Sequence, residues 1–333
     1  SAASDVYKRQ VCKGQSMKNK KISESVLNRS VFKLITQKNR QVVIGGAVGH
    51  DCSVIDVGDK YILTSTECAL TGERLAPYFA VIRAVNNIAA CGGTPVAASA
   101  AFILPEEYDE KALKELTRMV DKACGECGIQ LAGGHTEVSG NASSDMVTIT
   151  VTGMCMKNEL MSLRNASSGM AVIAAGWIAI EESAYLVDEH RDELLKRLPL
   201  PYVSKMDNIA GHACTIPVSR IATENGAAAM HDVAQKGIFA ALWELSVGSR
   251  CGLNIDLRAI PVRQETIEFC EIMGINPYEA ASAGCMLVIT PQSEKILEAF
   301  SAADIPAAVI GCLTADNDKK IINGDEVRYL DKP

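Results

Sequence analysis

GGAVGHDCSVIDVGDKYILTST, residues 45–66, is a glycine-rich loop that runs into two short β-rich segments. Residues 53–57 and 61–66 carry the β-branched and aromatic side chains of strands. Gly58 and Asp59 between them predict a hairpin, with Lys60 making its turn longer than two residues. A loop of this composition can bring backbone N–H groups up to phosphate oxygens. A plain turn into a first strand, with His50 and Asp51 in solvent, is the competing reading.

Outward from this hairpin the pattern alternates. Residues 76–90 predict a helix that ends at Gly92 and Gly93, where a left-handed cap costs glycine little. Residues 95–104 predict an apolar strand. Asp109 then opens a helix whose Ala112, Leu113, Leu116, Met119, Val120 and Ala123 recur at helical spacing. Residues 146–156 alternate as a strand, and the polar stretch 157–168 reads as a linker. Beyond it come an apolar segment at 170–175, an acidic helix over 181–198, a break at Pro199 and Pro201, and a helix over 238–249. Strands are predicted at 253–257, 286–290 and 307–313, with a helix over 294–302 between the last two.

The sum is a mixed α+β fold of two domains, 17–157 and 158–333, in line with the size of a 333-residue chain. Residues 1–16 lack sustained periodicity, and Met17 begins a segment that reads as a natural start. We expect residues 1–16 to be a disordered leader or an artefact outside the fold.

Composition narrows the function. With 40 acidic against 33 basic residues the net charge is −7, which argues against general affinity for nucleic acid or anionic lipid. The apolar runs fall short of the ~18 residues that would span a membrane. The 12 cysteines, with no signal-peptide pattern before them, fit reduced thiols in a cytoplasm. Cys124 and Cys127 form a CxxC, yet no second pair follows at zinc-site spacing, so a buried helix terminus explains them better than a redox or metal role.

Four further stretches carry candidate chemistry. LAGGHTEVSG (131–140) places His135 and Glu137 two residues apart on what reads as a glycine turn. STECALTG (65–72) sets Glu67 past a strand end, where it could reach a ligand or cap a helix. VNNIAACGG (85–93) has adjacent Asn86 and Asn87 in an apolar helix, a poor setting for asparagine unless its amide has a partner. MHDVAQKGIFAALWEL (230–245) sets Asp232 and Gly237 before a helix whose first amides could hold an anion or be capped in the ordinary way.

The order and spacing of these stretches resemble the aminoimidazole ribonucleotide (AIR) synthetase, or PurM-like, superfamily, and within it the hydrogenase-maturation HypE branch. The resemblance runs from about residue 22 to 330. The family's GDDAAV corresponds to GHDCSV, TTD to STE, VND to VNN, GGDT to GGHT and RDxTxGG to HDVAQKG, and residues 260–289 are close to the second-domain pattern.

This resemblance implies an N-terminal domain that dimerises through its sheet and a C-terminal α/β domain that closes over it. It implies ATP in the cleft, held by Gly49, Asp51, Asn86, Asn87, Gly133, Gly134, Thr136 and Gly237. It also implies a divalent cation on the carboxylates and phosphorylation of an amide- or phosphate-type oxygen on a small or carrier-bound acceptor. HypE proteins dehydrate a carbamoyl group on their own C-terminal cysteine; this sequence ends EVRYLDKP, and the family's Asn-Glu-Gly appears as Ser282, Ala283 and Gly284. Candidate catalytic residues are His135, Glu137 and Asp232. Candidate metal ligands are Asp51, Glu67 and His135, with His50 and Glu137 beside them. This mixed nitrogen and oxygen set suits Mn²⁺, Fe²⁺ or Zn²⁺ more than Mg²⁺ alone. The simpler alternative has His135 hydrogen-bonding a phosphate or a loop carbonyl. A maturation factor that works with a partner and a nucleotide-binding relative without catalysis are the alternatives to an ATP-dependent enzyme.

Overall fold

The structure, a computed structural model, describes residues 22–47, 49–70 and 72–333. The leader expected over residues 1–16 lies outside the described residues. The first half comprises α1 (Glu24–Ser30), β1 (Val42–Ile44), β2 (Ser53–Asp56), β3 (Lys60–Leu70), α2 (Ala76–Ala90), β4 (Thr94–Leu104), α3 (Glu110–Glu126), β5 (Gln130–Val138) and β6 (Met146–Met156). Its six-stranded sheet runs β1-β2-β3-β6-β4-β5 and is antiparallel except between β4 and β5. Those two strands are joined by α3, as a parallel pair requires a crossover. The Asp109 side chain caps α3 by accepting from the Lys111 amide.

The second half comprises β7 (Ala171–Ala175), α4 (Ile180–Glu189), α5 (Arg191–Leu195), α6 (Leu200–Val203), α7 (Ile216–Glu224), β8 (Ala229–Val233), α8 (Gly237–Ser249) and β9 (Gly252–Asp256). It continues with α9 (Gln264–Met273), β10 (Cys285–Thr290), α10 (Ser293–Ala302), β11 (Ala307–Thr314), β12 (Lys319–Asn323) and β13 (Glu326–Tyr329). The order in its seven-stranded sheet is β13-β12-β9-β11-β7-β10-β8. β8 and β10 are buried at every residue, as strands covered on both faces must be.

Between the halves lies α2, apolar on nearly every side and buried at 14 of its 15 positions. A helix with no polar face needs cover all round. The first sheet supplies it on one side, and β8 and α7 on the other. One apolar cluster runs from Leu63 and Ile149 through Phe79 and Ile82 to Ile180, Leu186 and Phe269, so the two halves share a core.

Three sequence expectations change. Residues 131–138 form an edge strand, β5, rather than a turn. Gly134 is required there because a Cβ would overlap the carbonyl of Ala100 on β4, next to a register shift between the two strands. The acidic helix over 181–198 is two helices, interrupted at His190, with Arg191 turned to pair with Asp207 and Ser204. β8, α7, α9, β12 and β13 are additions that the hydropathy pattern did not show.

Candidate functional site

A cavity of about 370 Å³ opens where the first sheet meets β8 and α8. The loop before β2 contributes Gly49, His50 and Asp51, β3 contributes Ser65 and Glu67, and α2 contributes Asn87. The second half closes it with His231 and Asp232 on β8, Lys236 before α8, and Glu244 on α8. Residues from segments far apart in sequence thus face one space.

Its electrostatics are dominated by buried acids. Asp232 is 4% exposed, and neither carboxylate oxygen has a hydrogen-bond partner among the described residues. Burial, with the charge of Asp51 beside it, raises its pKa well above the ordinary carboxylate value, against the opposing effect of His231. His231, equally buried, bridges two carboxylates. Its Nδ1 lies 3.0 Å from Asp51 Oδ2 and its Nε2 lies 3.2 Å from Glu244 Oε2. Burial disfavours the imidazolium, but the two acids outweigh it and raise the pKa well above 6.5.

Arg83, which does not line the cavity, is buried between Glu67 and Glu181. Its Nε donates to Glu67 Oε2 at 3.2 Å, and its guanidinium also pairs with Glu181 of α4. Asn87 Nδ2 donates to Ser65 Oγ at 2.9 Å and lies 3.5 Å from Glu67 Oε1. Glu67 is therefore held on both sides with its carboxylate at the cavity. His50 Nδ1 lies 3.1 Å from the Gly45 carbonyl, inside its own loop.

Several expected residues are elsewhere. Asn86 is fully buried and turned into the junction between the halves. Its Nδ2 donates to the Ala213 carbonyl and its Oδ1 accepts from the Thr215 amide, both at 2.9 Å, so its amide is spent on the chain itself. Gly237 does not line the cavity; its Cα packs against the backbone of Tyr278 and Glu279 at the start of α8.

Gly133, Gly134, His135, Thr136 and Glu137 lie on β5, four strands from β2, a distance on the order of 20 Å at the usual strand spacing. Within one chain His135 and Glu137 do not join Asp51. As residues two apart on a strand they share a face, and their side chains pair with each other at 3.0 Å in solvent. Among the described residues no group of three His, Cys, Asp or Glu side chains is arranged to hold a metal by itself.

The sequence reading missed His231, Glu244, Arg83 and Glu181. The signals were present but indirect. His231 precedes Asp232 in HDVAQKG, and Arg83 is the only charged residue in the apolar run 76–90, where a buried cation demands a counter-ion.

The chain matches the AIR synthase related protein N-terminal domain over residues 49–156 and the AIR synthase related protein C-terminal domain over residues 167–323. It is 30% identical over 287 residues to the carbamoyl dehydratase HypE of Rhizobium leguminosarum bv. viciae, covering 81% of this chain and 78% of that protein. Its fold is similar to that in a crystal structure of a HypE–HypF complex, with a TM-score of 0.75 and 21% identity over 93% of this chain and 100% of that one. A crystal structure of hydrogenase maturation protein HypE in complex with ATP gives a TM-score of 0.63 and 19% identity over 95% and 96% of the two chains. The chain belongs to the AIR synthase related family, on the branch that holds the carbamoyl dehydratases HypE.

Proposed function

We propose that this chain is an ATP-dependent enzyme that phosphorylates the oxygen of an amide-type acceptor, as a step in dehydrating a carbamoyl group during hydrogenase maturation. The observation that carries the reading is Asp232. A buried carboxylate with two unbonded oxygens, beside Asp51 and across a cavity from Glu67, has a strong demand for positive charge. A divalent cation fits that demand. Mg²⁺ takes one or two carboxylates and completes its shell with water and phosphate oxygens, so a closed cage of protein ligands is not needed. Asp51 and Asp232 would hold it, and when bound it would neutralise charge on the polyphosphate.

The chain's own residues have definable tasks. His231 orients Asp51 from one side, and Arg83 with Asn87 fixes Glu67 on the other. The acceptor oxygen attacks the γ-phosphorus and ADP departs. Loss of phosphate from carbon, with loss of the nitrogen-bound protons, then leaves a nitrile. Phosphoryl transfer asks mainly for positioning and charge stabilisation, which is what this cavity supplies.

The HypE relatives and the ATP-bound HypE structure support the nucleotide and the acceptor class. The HypE–HypF complex supports a protein partner for the reaction. The eleven described cysteines are all free, which suits a cytoplasmic location.

We also infer a homodimer through the first sheet. Among the described residues its face away from α2 and α3 is open. His135 stands there in register with Ala101, Thr148 and Cys68, and Glu137 with Ile103, Met146 and Leu70. A second copy over this face would cover the GGHTE strand.

Calorimetry of ATP with and without Mg²⁺ tests the core of the reading. Binding that depends on Mg²⁺ and is lost in Asp232→Asn is expected. Absence of binding, or equal binding by the variant without metal, would remove the cavity from nucleotide chemistry. ADP release on adding carbamoyl compounds or a carbamoylated carrier then tests the acceptor.

A further inference from the structure

Far from the acidic cavity, β9 and β11 are neighbours for only part of their length. β9 pairs with residues 311–314 of β11 and ends at Asp256, whose side chain accepts from the Arg258 amide at 2.9 Å and turns the chain into a short 3₁₀ helix, Leu257–Ala259. The chain then reaches Pro261, which has no N–H to give a ladder and whose carbonyl accepts from the Ile178 amide at 3.1 Å. β11 already begins at Ala307, and among the described residues its residues 307–309 pair with β7 alone.

The alternation of the ladder says which way those residues turn. The Gly176 amide donates to the Pro306 carbonyl at 2.7 Å, so these two form a hydrogen-bonded pair, and the next such pair along the strands is Ala308 with Ala174. Ala307 and Val309 therefore direct their N–H and C=O groups the other way, toward the place that β9 has left. Val309 is 38% exposed, so this stretch of edge is open to solvent.

The vacated place is a cavity of about 490 Å³. Ile260, Val262, Ile267 and Tyr278 give it an apolar lining, and Tyr278 is held as a rigid wall by stacking on Phe239, with ring centroids 5.3 Å apart and planes at 8°. Arg258 is the one charged residue of this lining among the described residues. Its Nε donates to Asn323 Oδ1 at 3.1 Å, and the guanidinium lies against Gly324, where a Cβ would come within 2.5 Å of Nη2. Among the described residues no carboxylate pairs with this guanidinium. An unpaired strand edge, an apolar hollow and a fixed cation without a counter-ion thus share one place.

We propose that this cavity binds an extended peptide segment of a partner protein, which adds to the second sheet beside the start of β11, puts an apolar side chain into the hollow and sets an aspartate or glutamate on Arg258. Ala307 and Val309 offer backbone groups two residues apart, a repeat of roughly 7 Å that another extended backbone matches. Unpaired strand edges are the usual template for such addition. The planar guanidinium fork suits a carboxylate. A small organic anion would use Arg258 and leave the edge of β11 unpaired, so the two kinds of occupant are separable by experiment.

The test selects a phage-displayed library of short random peptides on the whole chain and, in parallel, on Arg258→Glu. Peptides enriched on the native protein should combine alternating apolar residues with aspartate or glutamate, and those enriched on the variant should carry lysine or arginine instead. Synthetic copies of the native-selected peptides should lose roughly tenfold or more in affinity on Arg258→Glu, read by fluorescence anisotropy. Methylating the peptide's backbone nitrogens should weaken binding to a similar degree, and saturation with the unmethylated peptide should slow hydrogen exchange at the amides of Ala307 and Val309. Failure to enrich any acidic peptide, equal affinity for both proteins, indifference to backbone methylation or unchanged exchange at Ala307 and Val309 would each overturn the proposal. Should Arg258→Glu fail to fold, methylation and exchange on the native protein still decide it.

Discussion

Asp51 and His231 stand 180 positions apart in the chain and meet at 3.0 Å, fastening the loop before β2 to the buried strand β8. Burial works against charge on this imidazole, yet Asp51 and Glu244 on its two nitrogens raise its pKa well above the ordinary 6.5. A group that holds its proton more tightly when folded contributes its full stability below its unfolded pKa, and that contribution is lost as pH rises through the folded value. The stability gap between the native protein and His231→Gln should therefore be widest below pH 6.5 and narrow as the solution is made alkaline. Urea unfolding at a series of pH values measures it, and a gap that widens with pH would contradict the assignment.

Asp232 leads to a prediction of opposite character. Its pKa is raised by burial and by Asp51, so ionising this carboxyl in the folded chain comes at a cost. Replacing it with asparagine keeps its shape and removes the charge. In the absence of ligand, Asp232→Asn should be more stable than the native protein, by about 1–3 kcal/mol. With Mg²⁺ and ATP the order should reverse, because only the native protein gains stability from binding. Thermal melting under the two conditions shows both effects; a variant less stable without ligand would mean that Asp232 serves the fold.

Arg83 ties Glu67 at the cavity to Glu181 in the second half. Removing one member of a buried ion pair leaves the others uncompensated, which typically costs ~3–5 kcal/mol. Arg83→Met should fall in that range by urea denaturation. Adding Glu181→Gln should recover part of the loss, since it removes the stranded charge. Simple additivity of the two substitutions would show that Arg83 and Glu181 are not coupled.

Legibility in the sequence followed how local each feature is. The helix over 76–90 and the strand over 146–156 were readable because their patterns run uninterrupted from end to end. β8 was not, because His231 and Asp232 break the apolar run of a strand that is nonetheless fully buried. β5 looked like a turn because two glycines usually mark one, whereas here Gly134 answers a close approach by β4. Asn86 and Asn87 could not be told apart, since adjacent helical positions point about 100° apart and only the packing of α2 decides which one sees the cavity. Motif spacing brought Asp51, Glu67, Asn87 and Asp232 to notice. The ion pairs that hold them span 98 positions for Arg83 with Glu181 and 180 for His231 with Asp51, and no local pattern reports such distances.

The open face of the first sheet supports a last prediction. Met154 and Met156 on β6 are 41% and 40% exposed, beyond a row of Thr148, Thr150 and Thr152 on the same face. On the opposite face Val147, Ile149 and Val151 are fully buried under α2. Apolar side chains on one unpartnered sheet face mark an association surface. A charge there should therefore disrupt assembly without touching the core. Met154→Asp is expected to convert a dimer to a monomer by light scattering at micromolar concentration, while urea unfolding of the separated chain stays cooperative. His135→Ala offers the control, because an exposed His–Glu pair contributes less than about 1 kcal/mol to the stability of one chain. Its effect should thus be confined to the associated state. A native protein that is already monomeric, or a Met154→Asp variant that remains dimeric, would place the contact between copies on another surface and leave His135 with no partner chain to face.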